Sequence, residues 1–308
     1  MKRGHRKRAP ISWRLMLVFI ILAVTTVYGV NWAVKIFHNT ATSYRLIEQV
    51  RERYYEQSAI AFAETQLYEE SAHNDIDSLS DSWHEPVTIK NRYGDLVTVV
   101  IEDAQSKLNI NNLVTYRHTL NQNSKVILEN WAKSRGFDDD FIYFLAEYLG
   151  WNPQKEGATG RYPTGSELPR DEVLEDMNEL KNVPNLSSEI RFALSKDFTA
   201  LPVFTSININ TATKMTLRSL SLELTDYDID TVKKQQKRQP IKDVESYWEA
   251  VSQKFKQTPA SMKRILSNNS EWFWVNINII IDDRVYTHKH LTHRPTLKDM
   301  SEIGKDQS

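Results

Sequence analysis

The chain has 308 residues, 39 basic and 40 acidic side chains for a formal net charge of -1, and no cysteine. That length fits one large domain or two ordinary ones. The balanced charge gives no global attraction for nucleic acid, and the absence of cysteine excludes disulfides, thiolate metal sites and a cysteine nucleophile while leaving the redox compartment open.

Residues 1–14 form a basic leader carrying Lys2, Arg3, Arg6, Lys7, Arg8 and Arg14. The run "LMLVFIILAVTTVYGVNWAV", Leu15 to Val34, follows. About 20 apolar residues suffice to cross the hydrocarbon core as a helix. The basic side faces the cytoplasm, so residues 15–37 are predicted to form a single retained transmembrane helix with the bulk of the chain outside the cytoplasm. The run is too long for the apolar region of a cleaved secretory signal, and no small-x-small site closes it. Trp13, Tyr28 and Trp32 suit the two interfaces.

Helix is predicted to continue from Ser43 to about Glu70, a stretch without Pro or Gly. Ile47, Val50, Tyr54, Ala61 and Tyr68 fall on one apolar stripe. "SAHNDIDSLSDSWHEP", Ser71 to Pro86, is polar and turn-rich and reads as a loop. The period then changes to two. "VTIKNRYGDLVTVVIED" predicts two strands around a turn at Asn91 to Asp95. Near the other end, "WFWVNINIII" places Phe273, Val275, Ile277, Ile279 and Ile281 on one face, with Trp272, Trp274, Asn276 and Asn278 on the other. The turn "DDR" and the strand "VYTHKHLTHR" follow. Residues 38–102 and 269–294 therefore contribute a helix and a small antiparallel sheet. Residues 103–268 form a helical insertion, with lobes at about 103–202 and 203–268. The tail, 295–308, is polar. The fold class is α+β.

Inside the insertion, "KLNINNL" (Lys107 to Leu113) and "SININTATKMTLRSL" (Ser206 to Leu220) write Asn-Ile-Asn twice, each as an extended stretch that turns helical. Asn is a good helix N-cap, so Asn112 and Asn210 are predicted to cap the entrances of the two lobes. "ELKNVPNLSSEI" predicts a helix-turn-helix with Leu180, Val183 and Leu186 inward. Asp138 to Asp140 precede the apolar helix Phe141 to Leu149, where negative charge suits the helix start.

These segments resemble general secretion pathway protein K, the large minor pseudopilin of bacterial type II secretion. The resemblance rests on "IEDAQSKLNINNL", "NELKNVPNLS", "FTALPVFTSININTAT", "PIKDVESYW" and "SEWFWVNINIIIDDRVYT", in that order behind an apolar helix. It implies a pilin-like fold whose inserted helical domain has two lobes of the SAM-like or helix-hairpin-helix-like kind. It also implies a structural, non-enzymatic place at the tip of the periplasmic pseudopilus. The partners would be the I-type and J-type minor pseudopilins, with other pseudopilus and inner-membrane secretion components.

Two family features are altered. Gly4 is followed by "HRKRAPISWR" and no small residue stands directly before Leu15, so a prepilin peptidase cleavage point is not defined. The acidic calcium segment corresponds to "EYLGWNPQKEG", in which Glu147, Asn152 and Glu156 are the remaining oxygen donors. Calcium takes six to eight oxygens, and only these residues of the pattern survive. No acidic residue precedes Glu48. In the family view, an early Glu pairs with the amine of a neighbouring subunit, so its absence suits the filament tip.

Other classes are weaker. "ININTA" also opens helix-hairpin-helix DNA-binding domains, so a membrane-tethered DNA-uptake protein is an alternative, as is a minor pilin of a related type IV filament. Against DNA, "SLELTDYDID" has no Gly and carries Glu223, Asp226, Asp228 and Asp230, which repel phosphate. Lys233, Lys234, Lys237 and Arg238 read as a solvated helix face. His288 and His290 share a strand face that His293 does not, so they are predicted on an edge strand rather than around a metal. No nucleophile elbow is present.

Overall fold

The computed structural model describes residues 13–157, 172–245 and 265–294. The chain divides into two compact units, Met1–Tyr55 and Glu56–Ser308. A 59-residue helix, α1 (Trp13–Ser71), contributes to both. In the first unit its apolar side chains are exposed, including Ile21, Leu22, Val27, Tyr28 and Trp32. Among the described residues no helix is long and apolar enough to cross a membrane. The predicted span Leu15–Val34 falls within α1, but residue 15 and residues 18–20 have side chains outside the described set. The basic leader up to residue 12 and the tail 295–308 lie outside the described residues altogether.

In the second unit α1 is followed by β1 (Val87–Lys90) and β2 (Leu96–Asp103). The insertion comes next: β3 (Leu108–Asn109), α2 (Gln122–Arg135), α3 (Phe141–Tyr148), α4 (Ser188–Asp197), β4 (Phe198–Thr199), β5 (Ile207–Asn208), α5 (Lys214–Leu220), α6 (Asp226–Arg238) and β6 (Leu266–Ser267). β7 (Trp272–Ile281) and β8 (Arg284–His293) end the described chain. The sheet has the order β1-β2-β7-β8 and is antiparallel throughout. β2 and β7, its central strands, are thus separated in sequence by the whole insertion.

Local chemistry explains both hairpins. Asn91 Oδ1 accepts from the amides of Tyr93 and Asp95, at 2.8 and 3.0 Å. Gly94 supplies a positive φ of 97° that closes the loop. Between β7 and β8 the two linking residues, Asp282 and Asp283, have φ of 47° and 65°. This left-handed pair matches the twist of the strands, and Asp tolerates it.

The predicted alternation of β7 holds. Phe273, Val275, Ile277, Ile279 and Ile281 are fully buried, while Asn278 is exposed. The helix facing them is phased differently from the expectation. Ile47, Val50 and Tyr54 are exposed, and the buried face of α1 is Ala59, Ala63 and Leu67. These residues recur at steps of four, which is one helix face. That face joins two alanines to a leucine, whereas the larger exposed apolar residues belong to the first unit. Two contacts tie α1 to β8: Thr292 donates to Glu64 at 3.1 Å, and His288 lies 3.4 Å from Glu56.

The insertion has its own core around Trp131. The indole is fully buried between Phe137, Phe141 and Phe198, with ring centroids 5.6, 6.2 and 5.3 Å away. Its N–H donates to Asp197 at 2.8 Å, and Asp197 also pairs with Arg135. α2 is capped by Asn121 and ends on Gly136 at φ 74°. α6 opens on a capping box of Thr225 and Asp228. The predicted helix-turn-helix begins as a 3-10 helix, Met177–Asn182, before α4, and buries Leu180, Val183 and Leu186 as expected. Asp140 precedes α3 without a side-chain cap bond, because Asp138 accepts from the Asp140 amide instead.

The burial pattern of β7 makes one contrast measurable. Ile277→Ala should lower unfolding free energy by about 2–5 kcal/mol, the range for a large-to-small change in a core. Exposed Asn278→Ala should stay within about 0.5 kcal/mol. Urea unfolding of the two variants checks this.

Candidate functional site

The two Asn-Ile-Asn segments are two copies of one device. β3 pairs in parallel with β4 (Leu108 opposite Phe198), and β5 pairs in parallel with β6 (Ile207 opposite Leu266). In each copy the first Asn turns onto its own strand. Asn109 Oδ1 accepts from the Asn111 amide at 3.1 Å, and Asn208 Oδ1 accepts from the Asn210 amide at 2.9 Å. The second Asn reaches across the lobe to one residue's backbone. Asn111 accepts from the Leu174 amide and donates to its carbonyl, both at 2.9 Å. Asn210 accepts from the Ile241 amide at 2.7 Å and donates to its carbonyl at 3.2 Å. A carboxamide carries a donor and an acceptor side by side, so it can bracket one residue as a neighbouring strand would.

This corrects the capping role predicted for Asn112 and Asn210. The caps are Asn121 for α2 and Thr213 for α5. Asn112 brackets Thr205 instead, accepting from its amide at 3.2 Å and donating to its carbonyl at 2.7 Å. Its buried position points its amide at the backbone of Thr205, 93 residues further along the chain, not at a helix start.

A buried polar junction lies where the sheet meets the insertion. Asp103 ends β2, and its Oδ1 accepts from the Gln105 amide at 2.7 Å. Its Oδ2 accepts from Asn208 at 3.1 Å, Thr211 at 2.5 Å and Ser270 at 2.7 Å. Gln105 completes the crossing by donating to the Ser206 carbonyl and accepting from the amides of Glu271 and Trp272. Asp77, also fully buried, accepts from the Ser270 amide at 2.6 Å and pairs with Arg294. Burial pushes the Asp103 carboxyl up to about 6, against the lowering effect of the bonds from Thr211, Ser270 and Gln105.

The other predicted residues fall as follows. Glu147 is buried in α3. Asn152 accepts from the Gln154 amide at 3.0 Å and so caps a 3-10 turn. The Glu156 side chain lies outside the described residues. Among the described residues, acidic or histidine side chains come together at Asp138–Asp140 and at Glu70, Asp77 and Asp81. The second group carried no sequence signal, because Glu70 ends the helical stretch and the two Asp sit in the loop after it. His293 packs on Trp272, on the opposite face from His288, as the strand period predicts. Lys233 is half-buried and donates to the Ala212 carbonyl at 3.0 Å, which withdraws it from the basic helix face. An open groove of about 650 Å³, lined by Tyr116, His118, Val173, Val203 and Phe204, was not foreseen.

Two outcomes follow from this geometry. Asn210→Ala should cost about 2–4 kcal/mol rather than the roughly 1 kcal/mol of a lost cap, because the Ile241 amide and carbonyl both lose their partner in a buried site. Chemical denaturation measures the difference. For Asp103, the folded state keeps a proton that the unfolded chain releases between about pH 4 and about pH 6, so stability from this group falls as pH rises through that window, by about 3 kcal/mol. Asp103→Asn has no such titration. Its stability relative to the parent should therefore improve from about pH 4 to about pH 7 in parallel denaturation curves.

No protein-family model matches the chain, and no curated protein sequence does. Among solved structures, the fold is similar to that in "The Crystal Structure of the GspK-GspI-GspJ complex from enterotoxigenic Escherichia coli Type 2 Secretion System", with a TM-score of 0.62 and 19% sequence identity. The match covers 82% of this chain and 94% of the chain it matches. At that identity the likeness is one of fold, for a chain in which a small antiparallel sheet is interrupted by a large helical insertion.

Proposed function

We propose that the chain is a K-type minor pseudopilin, a structural subunit that caps a type II secretion pseudopilus and helps to start its assembly. The observation that carries this is the GspK-like fold across most of both chains, together with the large insertion between β2 and β7 of this chain. A body of that size suits a cap better than a repeating shaft subunit. The absence of any acidic residue before Glu48 agrees, since a tip subunit has no amine of a further subunit to neutralise.

In this reading Leu15 to Val34 anchors the chain in the inner membrane, with the basic leader in the cytoplasm and the second unit in the periplasm. The I-type and J-type minor pseudopilins are the direct partners. The GspK-like neighbour is found in a complex with GspI and GspJ. Calcium at Glu147, Asn152 and Glu156 belongs to the same reading.

Co-expression with the I-type and J-type proteins of the same secretion system tests the assignment. A complex that stays together through affinity capture and gel filtration is expected, with the chain at one copy. A chain that elutes alone, or that occurs in sheared filaments at the abundance of the major pseudopilin, overturns it. For topology, protease added to spheroplasts should degrade the second unit, and full protection would contradict a periplasmic location.

A further inference from the structure

The two edges of the sheet are unlike. β1 and β8 are the outer strands in the order β1-β2-β7-β8. An edge strand presents unpaired N–H and C=O groups that can template another strand, and proteins blunt it by shortness, proline, a bulge or a cover. β1 is blunted: it has four residues and ends on Lys90. β8 has ten residues without proline, and its pairs with β7 run in unbroken register, so no bulge interrupts it.

The hairpin decides which backbone groups β8 turns outward. Ile281 and Arg284 close the two-residue loop, and in a loop of that kind the closing residues bond to each other through the backbone. Bonded and non-bonded pairs then alternate along the strands. Tyr286, His288, His290 and Thr292 accordingly bond to β7. The Arg294 amide donates to the Glu271 carbonyl at 2.7 Å, in the same phase. Val285, Thr287, Lys289 and Leu291 direct their N–H and C=O groups to the open edge, where no strand pairs with them among the described residues. Val285 is 65% exposed, and Thr287 and Lys289 are exposed as well.

Charge selects what this edge accepts. β8 carries Arg284, Lys289 and three histidines, and no acidic residue. Lys289, the one charge among the outward-bonding residues, does not guard the edge: its Nζ sits 4.1 Å from the centre of the Trp274 ring on the neighbouring strand. Like charges facing each other across two strands are destabilising, and opposite charges are favourable. A second copy is therefore disfavoured. Two β8 edges paired antiparallel about their middle set Lys289 opposite or diagonal to its counterpart, with no acidic side chain in either strand to answer it. An acidic strand meets no such opposition.

We propose that the open edge of β8 is a docking site for an extended acidic segment of another protein, which joins the four-stranded sheet as a further strand. Main-chain bonds to Val285, Thr287, Lys289 and Leu291 supply the affinity, and a carboxylate opposite Lys289 supplies the choice of partner. The strand is held from behind, because His288 meets Glu56 and Thr292 donates to Glu64 on α1. Its edge is thus presented in a fixed position. The site holds whether or not the chain caps a pseudopilus.

The test uses the full chain in detergent and a capped synthetic peptide of the ten-residue length of β8, alternating valine with glutamate. Hydrogen exchange read by mass spectrometry should slow over residues 284–293 when the peptide is in excess, and the same peptide with a central proline should have no effect. A peptide with lysine in place of glutamate should bind about fivefold more weakly. Thr287→Pro removes one outward N–H at a place where an edge strand tolerates proline, so it should keep the parent's melting temperature and lose the protection. Lys289→Glu should reverse the preference between the two peptides. No slowing with the glutamate peptide overturns the proposal, as does protection that persists in Thr287→Pro. Should Thr287→Pro fail to fold, Lys289→Glu decides, and an unchanged preference overturns the site. Slowing over 284–293 in the parent alone as its concentration rises, with dimers in sedimentation, makes a second copy the occupant and overturns it as well.

Discussion

The buried carboxylate of Asp103 is the interaction on which the architecture depends. The chain leaves the sheet at the end of β2, returns to the same place at the entrance of β5, and re-enters the sheet at β7. One side chain touches all three passages, through Gln105 at the exit, Asn208 and Thr211 at the midpoint, and Ser270 at the return. An apolar contact there could hold the segments together but not fix their register, since hydrophobic contact is non-directional. Hydrogen bonds to a fixed carboxylate do fix it. The energetic penalty is a charge held in a buried place, seen as the upward displacement of its titration.

From that point the insertion is built twice by one rule. Each lobe begins with a two-residue parallel pairing whose partner strand arrives at the far end of the lobe. So short a pairing would be marginal alone. The following Asn side chains extend it, with Asn111 and Asn210 each acting as a further stretch of strand toward Leu174 and Ile241. Closing a lobe in this way replaces hydrogen bonds that a longer sheet would have provided. It leaves the rest of the lobe free to be helical and to pack around centres such as Trp131.

This construction bears on the proposed role. An insertion fastened at one junction can be large without disturbing the sheet, because both central strands end at the same polar cluster. The sheet keeps its own core of Phe273, Val275, Ile277, Ile279 and Ile281.

The sequence by itself determined whatever depends on near neighbours. The period of two in β7, the turns at Asn91 and Asp282, and the inward set Leu180, Val183 and Leu186 were legible because strand alternation and turn chemistry act over a few residues. The repeat of Asn-Ile-Asn was visible as well. What Asn112 and Asn210 do was decided only by tertiary structure. Their partners lie 93 and 31 residues away, and a cap and a bracket draw on the same amide chemistry. The phase of α1 was decided in the same way, since helical period shows that a face exists but not which unit uses it; the buried Ala59, Ala63 and Leu67 lie on the stretch of α1 that is bonded to β8 through Glu64. Glu70, Asp77 and Asp81 were not legible at all, because a charge cluster is a fact of proximity, and only the fold brings a helix end, a loop and Arg294 to one place.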